Sequence, residues 1–303
     1  MNKIAVACTV DEHYAKHCTV TLTSLFINNP AADFDVYIVH NNLPVKTIAK
    51  MQRSLTAYGN SANFIAIDDE LLRDAPVDHH ISRATYYRLL LPQVLPASLN
   101  KILFLDSDTI VRKPVIGLWE KDVSEVALAA SVAAGMHDYP AKLSLACTSL
   151  YFNAGVMLIN LDYWRKANVL ERCIELIANE RQRIKWWDQD LLNIIFEGQW
   201  LLIELTWNAQ PYIFGEVHEE TDATILQYAG YGLVDAFIDP AIVHFAGAEK
   251  PWQGKCSIRF SPEYKYYLGR TRWAPGIFDT LSNSIKKVYR KLYWQFRIDA
   301  RRK

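Results

Sequence analysis

The sequence has no surplus of either charge: across 303 residues, 33 Lys and Arg stand against 33 Asp and Glu. With no net basic field, nothing recommends a nucleic-acid partner. It also lacks any run of the ~18 apolar residues that a membrane-spanning helix takes. Any meeting with a membrane is therefore expected at its surface. Cysteine is sparse and odd in number; Cys8, Cys18, Cys147, Cys173 and Cys256 are scattered and form no C-x-x-C pair. That spacing excludes a zinc framework and argues against a disulfide scaffold, so reduced, mostly buried thiols of a cytoplasmic protein are expected. The opening "MNKIAVACTVDEHY" has an apolar run at the short limit for a signal peptide, closed at once by Asp11 and Glu12. It reads better as a first β-strand.

What is present is apolar patterning. Half of the residues are hydrophobic, enough for a large single-core domain. Strand-like runs at 3–10, 34–40, 63–67 and 101–105 alternate with helical patterns at 14–28, 45–59 and 82–95. This repetition predicts an α/β fold whose sheet is covered on both faces, with ligands collecting at the carboxyl ends of the strands. The last segment differs in kind. From Lys286 to Lys303 it holds eight basic residues and one acidic, and Ile285, Val288, Leu292, Tyr293 and Phe296 recur at helical spacing. A basic, aromatic amphipathic helix suits an anionic headgroup layer; the plainer reading is a final helix packed on its own domain. The expected division is a catalytic domain over 1–275 and a membrane-surface tail over 276–303.

"FLDSDTI" ends a core-like strand with two carboxylates, Asp106 and Asp108, aimed at one place. Such a pair is costly to bury without a compensating cation, and it suits a hard divalent ion, Mn2+ or Mg2+, that keeps positions for phosphate oxygens. In "IVHFAGAEKPW" His244 follows another short strand, Gly247 allows close backbone approach and Lys250 adds a point charge. Imidazole, glycine backbone and ammonium together make a sensible clamp for a diphosphate and a metal. In "WWDQDLLN" either Asp188 or Gln189 could cap the helix that follows. In "FNAGVMLIN" Asn153 and Gly155 offer contacts suited to sugar hydroxyls, or merely a turn.

Taken in order, "DEHY", "SRATYYRLLLP", "FLDSD", "FNAGVMLIN", "WWDQDLLN" and "HFAGAEKPW" resemble glycosyltransferase family 8 over roughly residues 3 to 252. This is the retaining family that includes bacterial lipopolysaccharide glucosyl- and galactosyltransferases and glycogenin. The resemblance implies a GT-A fold: a Rossmann-like, mixed but mostly parallel sheet with helices on both faces. It implies a UDP-sugar donor with Mn2+, held by Asp106, Asp108 and His244. Lys250 and the Gly247 backbone would hold the diphosphate, and Asp11, His13 and Tyr14 would contact uracil and ribose. The family more often has Asn where this chain has His13. Arg88 matches the arginine that reaches donor sugar and phosphates, while Asn153, Gly155, Asp188 and Gln189 match the donor-sugar pocket. One departure concerns the acceptor. The related galactosyltransferases place an aspartate after the strand matching "VALAASV"; here the nearest acid is Asp138.

The expected function is transfer of glucose or galactose, with retention, to a sugar hydroxyl of a lipid-linked oligosaccharide such as bacterial lipopolysaccharide core. The expected location is the inner face of the cell membrane. Two rivals stand beside it. A haloacid-dehalogenase-type phosphatase would use Asp106 as nucleophile and Asp108 as acid and base, but that motif normally opens its domain and has Thr or Val where Ile110 stands. A non-catalytic nucleotide-sugar-binding protein at the membrane surface would need the same pocket.

Overall fold

The computed structural model describes residues 3–77, 82–146, 148–215, 228–253 and 259–274. The tail over 276–303, Cys147 and Cys256 lie outside these residues. Cys8, Cys18 and Cys173 are buried and free, as their spacing implied.

Seven strands form the main sheet: β1 (Ile4–Val10), β2 (Phe34–His40), β3 (Ala62–Ala66), β4 (Lys101–Leu105), β6 (Leu128–Val132), β7 (Phe152–Asn160) and β8 (Trp200–Leu202). Their spatial order is β3-β2-β1-β4-β7-β6-β8. β1 pairs in parallel with β2 and β4, β2 with β3, and β6 with β8. β7 runs antiparallel to both β4 and β6. The sheet is thus mixed and mostly parallel.

Every residue of β1 and β7 is buried, because these central strands are covered on both faces. Period-two alternation divides the apolar residues into two cores. Val6, Cys8, Ile38, Leu103 and Leu158 pack under α1 (Ala15–Ile27) and α2 (Val45–Thr56). Ala7, Val39, Phe104, Met157 and Ile159 face the opposite layer. There the cover comes from residues 83–94, α6 (Leu161–Lys166), α7 (Val169–Glu180) and α8 (Trp187–Ile195). The shorter helices are α3 (Leu91–Val94), α4 (Ile116–Trp119), α5 (Tyr139–Lys142) and α9 (Leu233–Ile238); α10 (Ser261–Leu268) packs on α1.

The segment 82–95, expected as one helix, is instead a 3-10 run over Arg83–Leu90 followed by α3. Pro92 has no N–H to reach the carbonyl of Arg88, so that carbonyl accepts from Leu91 with the tighter 3-10 spacing.

A second, two-stranded sheet matters most for function. β5 (Thr109–Val111) pairs antiparallel with β9 (Ile242–His244), in a register that sets Thr109 opposite His244. The other edge of β5 is satisfied by hydroxyls of α1 rather than by a strand. Thr21 Oγ1 donates to the carbonyl of Thr109 (2.8 Å), and Ser24 Oγ accepts from the N–H of Val111 (2.9 Å). The threonine-rich face of α1 thereby replaces a missing neighbour, since buried backbone groups must be paired.

Candidate active site

Parallel strands β1 and β4 end side by side, and their carboxyl ends open into a cleft of ≈ 120 Å³ lined by Tyr14, Thr85, Arg88, Asp106, Asp108 and Lys250 among others. Asp106 is the first residue past β4; its N–H donates to the carbonyl of Gly155 at 2.8 Å. Asp108 directly precedes β5, whose register with β9 carries His244 to it. One ligand atom each of Asp106, Asp108 and His244 lie within 4.8 Å of one another, which makes them a group among the described residues that could hold a metal ion.

The remaining contacts decide which atoms are free for a cation. Arg88 Nη2 takes Asp106 Oδ1 at 2.8 Å, and Lys250 Nζ takes Asp108 Oδ2 at 2.6 Å. The other two carboxylate oxygens, Asp106 Oδ2 and Asp108 Oδ1, stand 3.8 and 3.3 Å from His244 Nε2. Two oxygens and a ring nitrogen facing one another form a donor set of the kind a divalent cation takes. The two carboxyls titrate in opposite directions. Burial raises the Asp106 pKa, aided by the charge on Asp108 and opposed by Arg88. Burial acts on Asp108 too, but Lys250 and His244 outweigh it and hold that carboxyl well below its ordinary value.

Gly155 has a specific steric role. A Cβ built there would come within 2.1 Å of the His244 ring, so only glycine lets the imidazole settle against β7. Gly155 therefore seats the imidazole; its expected contact with a sugar is a separate matter. Gly247 lies exposed beyond β9 with φ +88, a left-handed conformation that suits glycine. Lys250 Nζ also donates to the carbonyl of Phe245 at 2.8 Å, which turns the intervening loop back on itself.

Arg88 is almost fully buried. Nε donates to the carbonyl of Thr85 (3.1 Å), Nη1 to the carbonyl of Ala154 and Nη2 to Asp106, while the guanidinium lies over the Phe104 ring at 4.4 Å. Arg88 Nε is also 2.9 Å from Asp188 Oδ2. No hydrogen is aligned on that oxygen, because the Nε hydrogen is directed to Thr85; the contact is ionic only. Asp188 Oδ1 accepts from the Thr85 hydroxyl. Burial lifts the Asp188 pKa to about 6, against the pull of Arg88. Arg88 thus bridges two carboxylates, Asp106 beside His244 and Asp188 on α8.

Gln189 is held at both ends. Its Oε1 accepts from the N–H of Ala154 at 3.0 Å, and its Nε2 donates to the Tyr151 hydroxyl at 3.1 Å. Asn153 Oδ1 accepts from the N–H of Gly155 at 3.0 Å and from Asn208 Nδ2 at 2.9 Å. Neither Asp188 nor Gln189 caps α8. Asp190 Oδ2 instead accepts from the N–H groups of Lys185 and Trp186, at 2.6 and 2.7 Å, and so holds the turn that leads into α8.

At the end of β1, Asp11 Oδ1 accepts from the N–H of Tyr14 at 2.9 Å and so fixes the turn into α1. Tyr14 enters the cleft and stands edge-on to Trp252, 5.9 Å between centroids. Burial and the nearby carboxylates of Asp108 and Asp11 raise its pKa. His13 is exposed in the same turn.

Three residues at the site were not identified from the sequence. Asn208 touches His244, and His17 and Trp252 stack behind Tyr14 with 3.5 Å between ring centroids. Trp252 closes the "HFAGAEKPW" stretch, but nothing in its spacing said what it would pack against.

Comparison with known proteins gives a consistent result. A family model described as Glycosyl transferase family 8 matches residues 5–256. General stress protein A of Bacillus subtilis (strain 168) is 30% identical over 272 residues, covering 88% of this chain and 93% of that protein. Lipopolysaccharide 1,2-glucosyltransferase of Escherichia coli (strain K12) is 25% identical over 328 residues, covering 94% of this chain and 91% of that protein. The crystal structure of the galactosyltransferase LgtC, in complex with donor and acceptor sugar analogues, superposes with a TM-score of 0.80 at 25% identity. That match covers 88% of this chain and 96% of the other.

Proposed function

The chain belongs to glycosyl transferase family 8, and from that premise we propose that it moves glucose or galactose from a UDP-sugar to a sugar hydroxyl of a lipid-linked oligosaccharide, such as bacterial lipopolysaccharide core, with retention at the anomeric carbon. The observation that carries this reading is the convergence of Asp106, Asp108 and His244 beside Lys250 at the strand ends. A glucosyltransferase and a galactosyltransferase both stand among the similar proteins, which supports a hexose donor of either kind.

Asp106 Oδ2, Asp108 Oδ1 and His244 Nε2 would hold a divalent cation, for which we propose Mn2+, with Mg2+ as its substitute. When bound, such an ion acts as a Lewis acid toward diphosphate oxygens. Lys250 adds a second positive charge to the same side of the cleft and stabilises the charge that grows on departing UDP. Tyr14, with Trp252 behind it, offers an aromatic wall to the base, and Asp11 shapes the turn that carries Tyr14. Arg88 holds Asp106 and Asp188 in fixed relation, and we assign contact with the sugar hydroxyls to Asp188.

The hydrogen bonding favours a front-face route to retention. Gln189 has its carboxamide oxygen committed to Ala154, and a carboxamide is a weak nucleophile in any case. The bond from C1 to the phosphate oxygen breaks as the bond to the acceptor oxygen forms on the same face. The acceptor's proton passes to the leaving diphosphate, so no enzymatic nucleophile is needed. The phosphatase alternative finds no support: Asp106, its required nucleophile, is tied to Arg88 and faces His244.

The test is a donor screen with UDP-glucose, UDP-galactose and their N-acetyl forms, with and without Mn2+, measuring UDP release. One of the two hexoses should be cleaved in a metal-dependent way. Asp108→Ala should lower turnover by about a hundredfold or more even in excess Mn2+. Near-normal turnover by that variant, or a preference for simple phosphomonoesters, would end this reading.

A further inference from the structure

His244 reaches the carboxylates through Nε2, and its other nitrogen is the less obvious part of the site. Nδ1 lies 3.0 Å from Asn208 Oδ1, inside the protein, where Asn208 has no exposed surface at all. Hydrogen positions on an imidazole are normally inferred from neighbours, and here the neighbours settle them without a free choice. The N–H of Gly155 is a backbone group and can only donate; it points at Asn153 Oδ1 at 3.0 Å. That end of the Asn153 side chain is therefore the carbonyl oxygen. The Asn208 atom 2.9 Å from the same oxygen must then be its amide nitrogen. Asn208 accordingly turns its own oxygen toward His244, and an oxygen without hydrogen requires one on Nδ1. Nε2 is the nitrogen that faces Asp106 and Asp108, and in the neutral ring it is the one whose lone pair a cation could take.

We propose that Asn208 is a positioning residue for the metal centre, fixing His244 in the tautomer whose Nε2 is free to bind a divalent cation. The hydrogen bonds form one chain: Gly155 N–H donates to Asn153 Oδ1, Asn208 Nδ2 donates to that same oxygen, and His244 Nδ1–H donates to Asn208 Oδ1. Gly155 contributes twice, since its N–H starts the chain and its missing Cβ makes room for the ring. A metal-binding histidine commonly donates its second N–H to a neighbouring acceptor, and loss of that acceptor weakens metal affinity by about 10- to 100-fold. Asn208 follows the 3-10 turn Leu205–Trp207, and its own backbone carbonyl accepts from Gln210 Nε2 at 3.2 Å, so its position is set independently of the metal.

This inference rests on the metal-dependent reading above, and the experiment separates the two. Mn2+ affinity is measured by electron paramagnetic resonance of the free ion, without donor or acceptor, for the wild-type chain, Asn208→Leu and Asn208→Asp. Both variants lose the bond from Asn208 to Asn153, but only the aspartate keeps an acceptor for Nδ1–H. Asn208→Leu should weaken Mn2+ binding about 10- to 100-fold, while Asn208→Asp should stay within a few-fold of wild type. Equal weakening in both variants would show a purely structural role and overturn the proposal, as would unchanged affinity in Asn208→Leu. Independently, long-range 1H–15N correlation on the wild-type protein, with the His244 signal assigned from His244→Gln, should place hydrogen on Nδ1. Hydrogen on Nε2 alone would overturn the assignment even if the variants fail to fold. Failure of the wild-type chain to bind Mn2+ would instead remove the metal reading, while the tautomer measurement would still decide the role of Asn208.

Discussion

His17 is buried between two aromatic partners: the Trp252 ring stacks on it, and the Tyr264 hydroxyl lies 2.6 Å from its Nδ1. Burial holds its pKa down to about 3, with Lys16 and Lys250 adding to the shift and Asp108 opposing it. A base whose folded pKa is depressed is neutral in the native state and must be charged as the chain unfolds in acid. Its contribution to stability is therefore complete above the unfolded value near 6.5 and is lost as pH falls toward 3. The slope is at most about 1.4 kcal/mol per pH unit across that window. His17→Phe keeps a ring for Trp252 to stack on and removes the titration. Thermal unfolding followed from pH 7 to 4.5 should thus fall less steeply for His17→Phe than for wild type; parallel slopes would refute the assignment. Nothing near position 17 announces this role. A lone histidine within a helical run gives no signal, and its hydroxyl partner lies 247 positions away. Asp106, Asp108 and His244 were legible because charged or imidazole groups at the ends of apolar strands need a reason to be there. Asn208 was not, because a neutral amide beside a tryptophan is ordinary in any turn.

At the scale of elements, the runs with strong periodicity stand where the sequence put them: β2 spans Phe34–His40, β4 spans Lys101–Leu105 and α1 spans Ala15–Ile27. Departures arise where local chemistry overrides period. Arg83–Leu90 is 3-10, with Pro92 denying the Arg88 carbonyl an α-helical donor, and the start of α8 depends on Trp187, whose φ of +50 turns the chain so that Asp190 reaches back to it. Asp190 is fully buried and accepts from two backbone N–H groups, from the Tyr151 hydroxyl at 2.6 Å and from the Tyr139 hydroxyl at 3.2 Å. Asp190→Ala would leave those donors without an acceptor inside the protein. Removing charged hydrogen bonds of this kind should cost about 2–4 kcal/mol of unfolding free energy, read from urea denaturation. Asp190→Asn retains an oxygen for the two N–H groups and should recover at least half of the loss. A cost below ~0.5 kcal/mol for the alanine would mean that α8 is held by packing alone. The pairing of β5 with β9 was not legible: β9 was read only as a short strand before His244 and β5 not as a strand, since each is three residues long, too short for alternation to register.

For the molecule as a whole, that short pair joins two distant parts of the chain into one site, with Lys250 meeting Asp108 across 142 positions. The far end of the described chain is tied down elsewhere. Arg272 N–H donates to Ser54 Oγ at 3.0 Å, and Lys50 lies over the Trp273 ring at 4.6 Å, so residues 272–273 are anchored on α2. No helix among the described residues is long and apolar enough to cross a membrane. We propose that the basic tail over 276–303, whose sequence carries eight basic residues against one acidic from Lys286 onward, meets an anionic membrane surface at its cytoplasmic face. Each basic side chain near such a surface contributes about 1 kcal/mol, an attraction that salt screens. A chain ending at residue 275 retains every group placed here in the cleft, so it should transfer sugar to a soluble acceptor within about twofold of the full chain, less than ~0.4 kcal/mol in the barrier. The same truncated chain should lose its binding to anionic vesicles, while the full chain binds them less as salt rises and ignores neutral ones. Vesicle binding that survives the truncation would move the membrane contact onto the folded domain; turnover that collapses with it would make the tail part of the active fold instead.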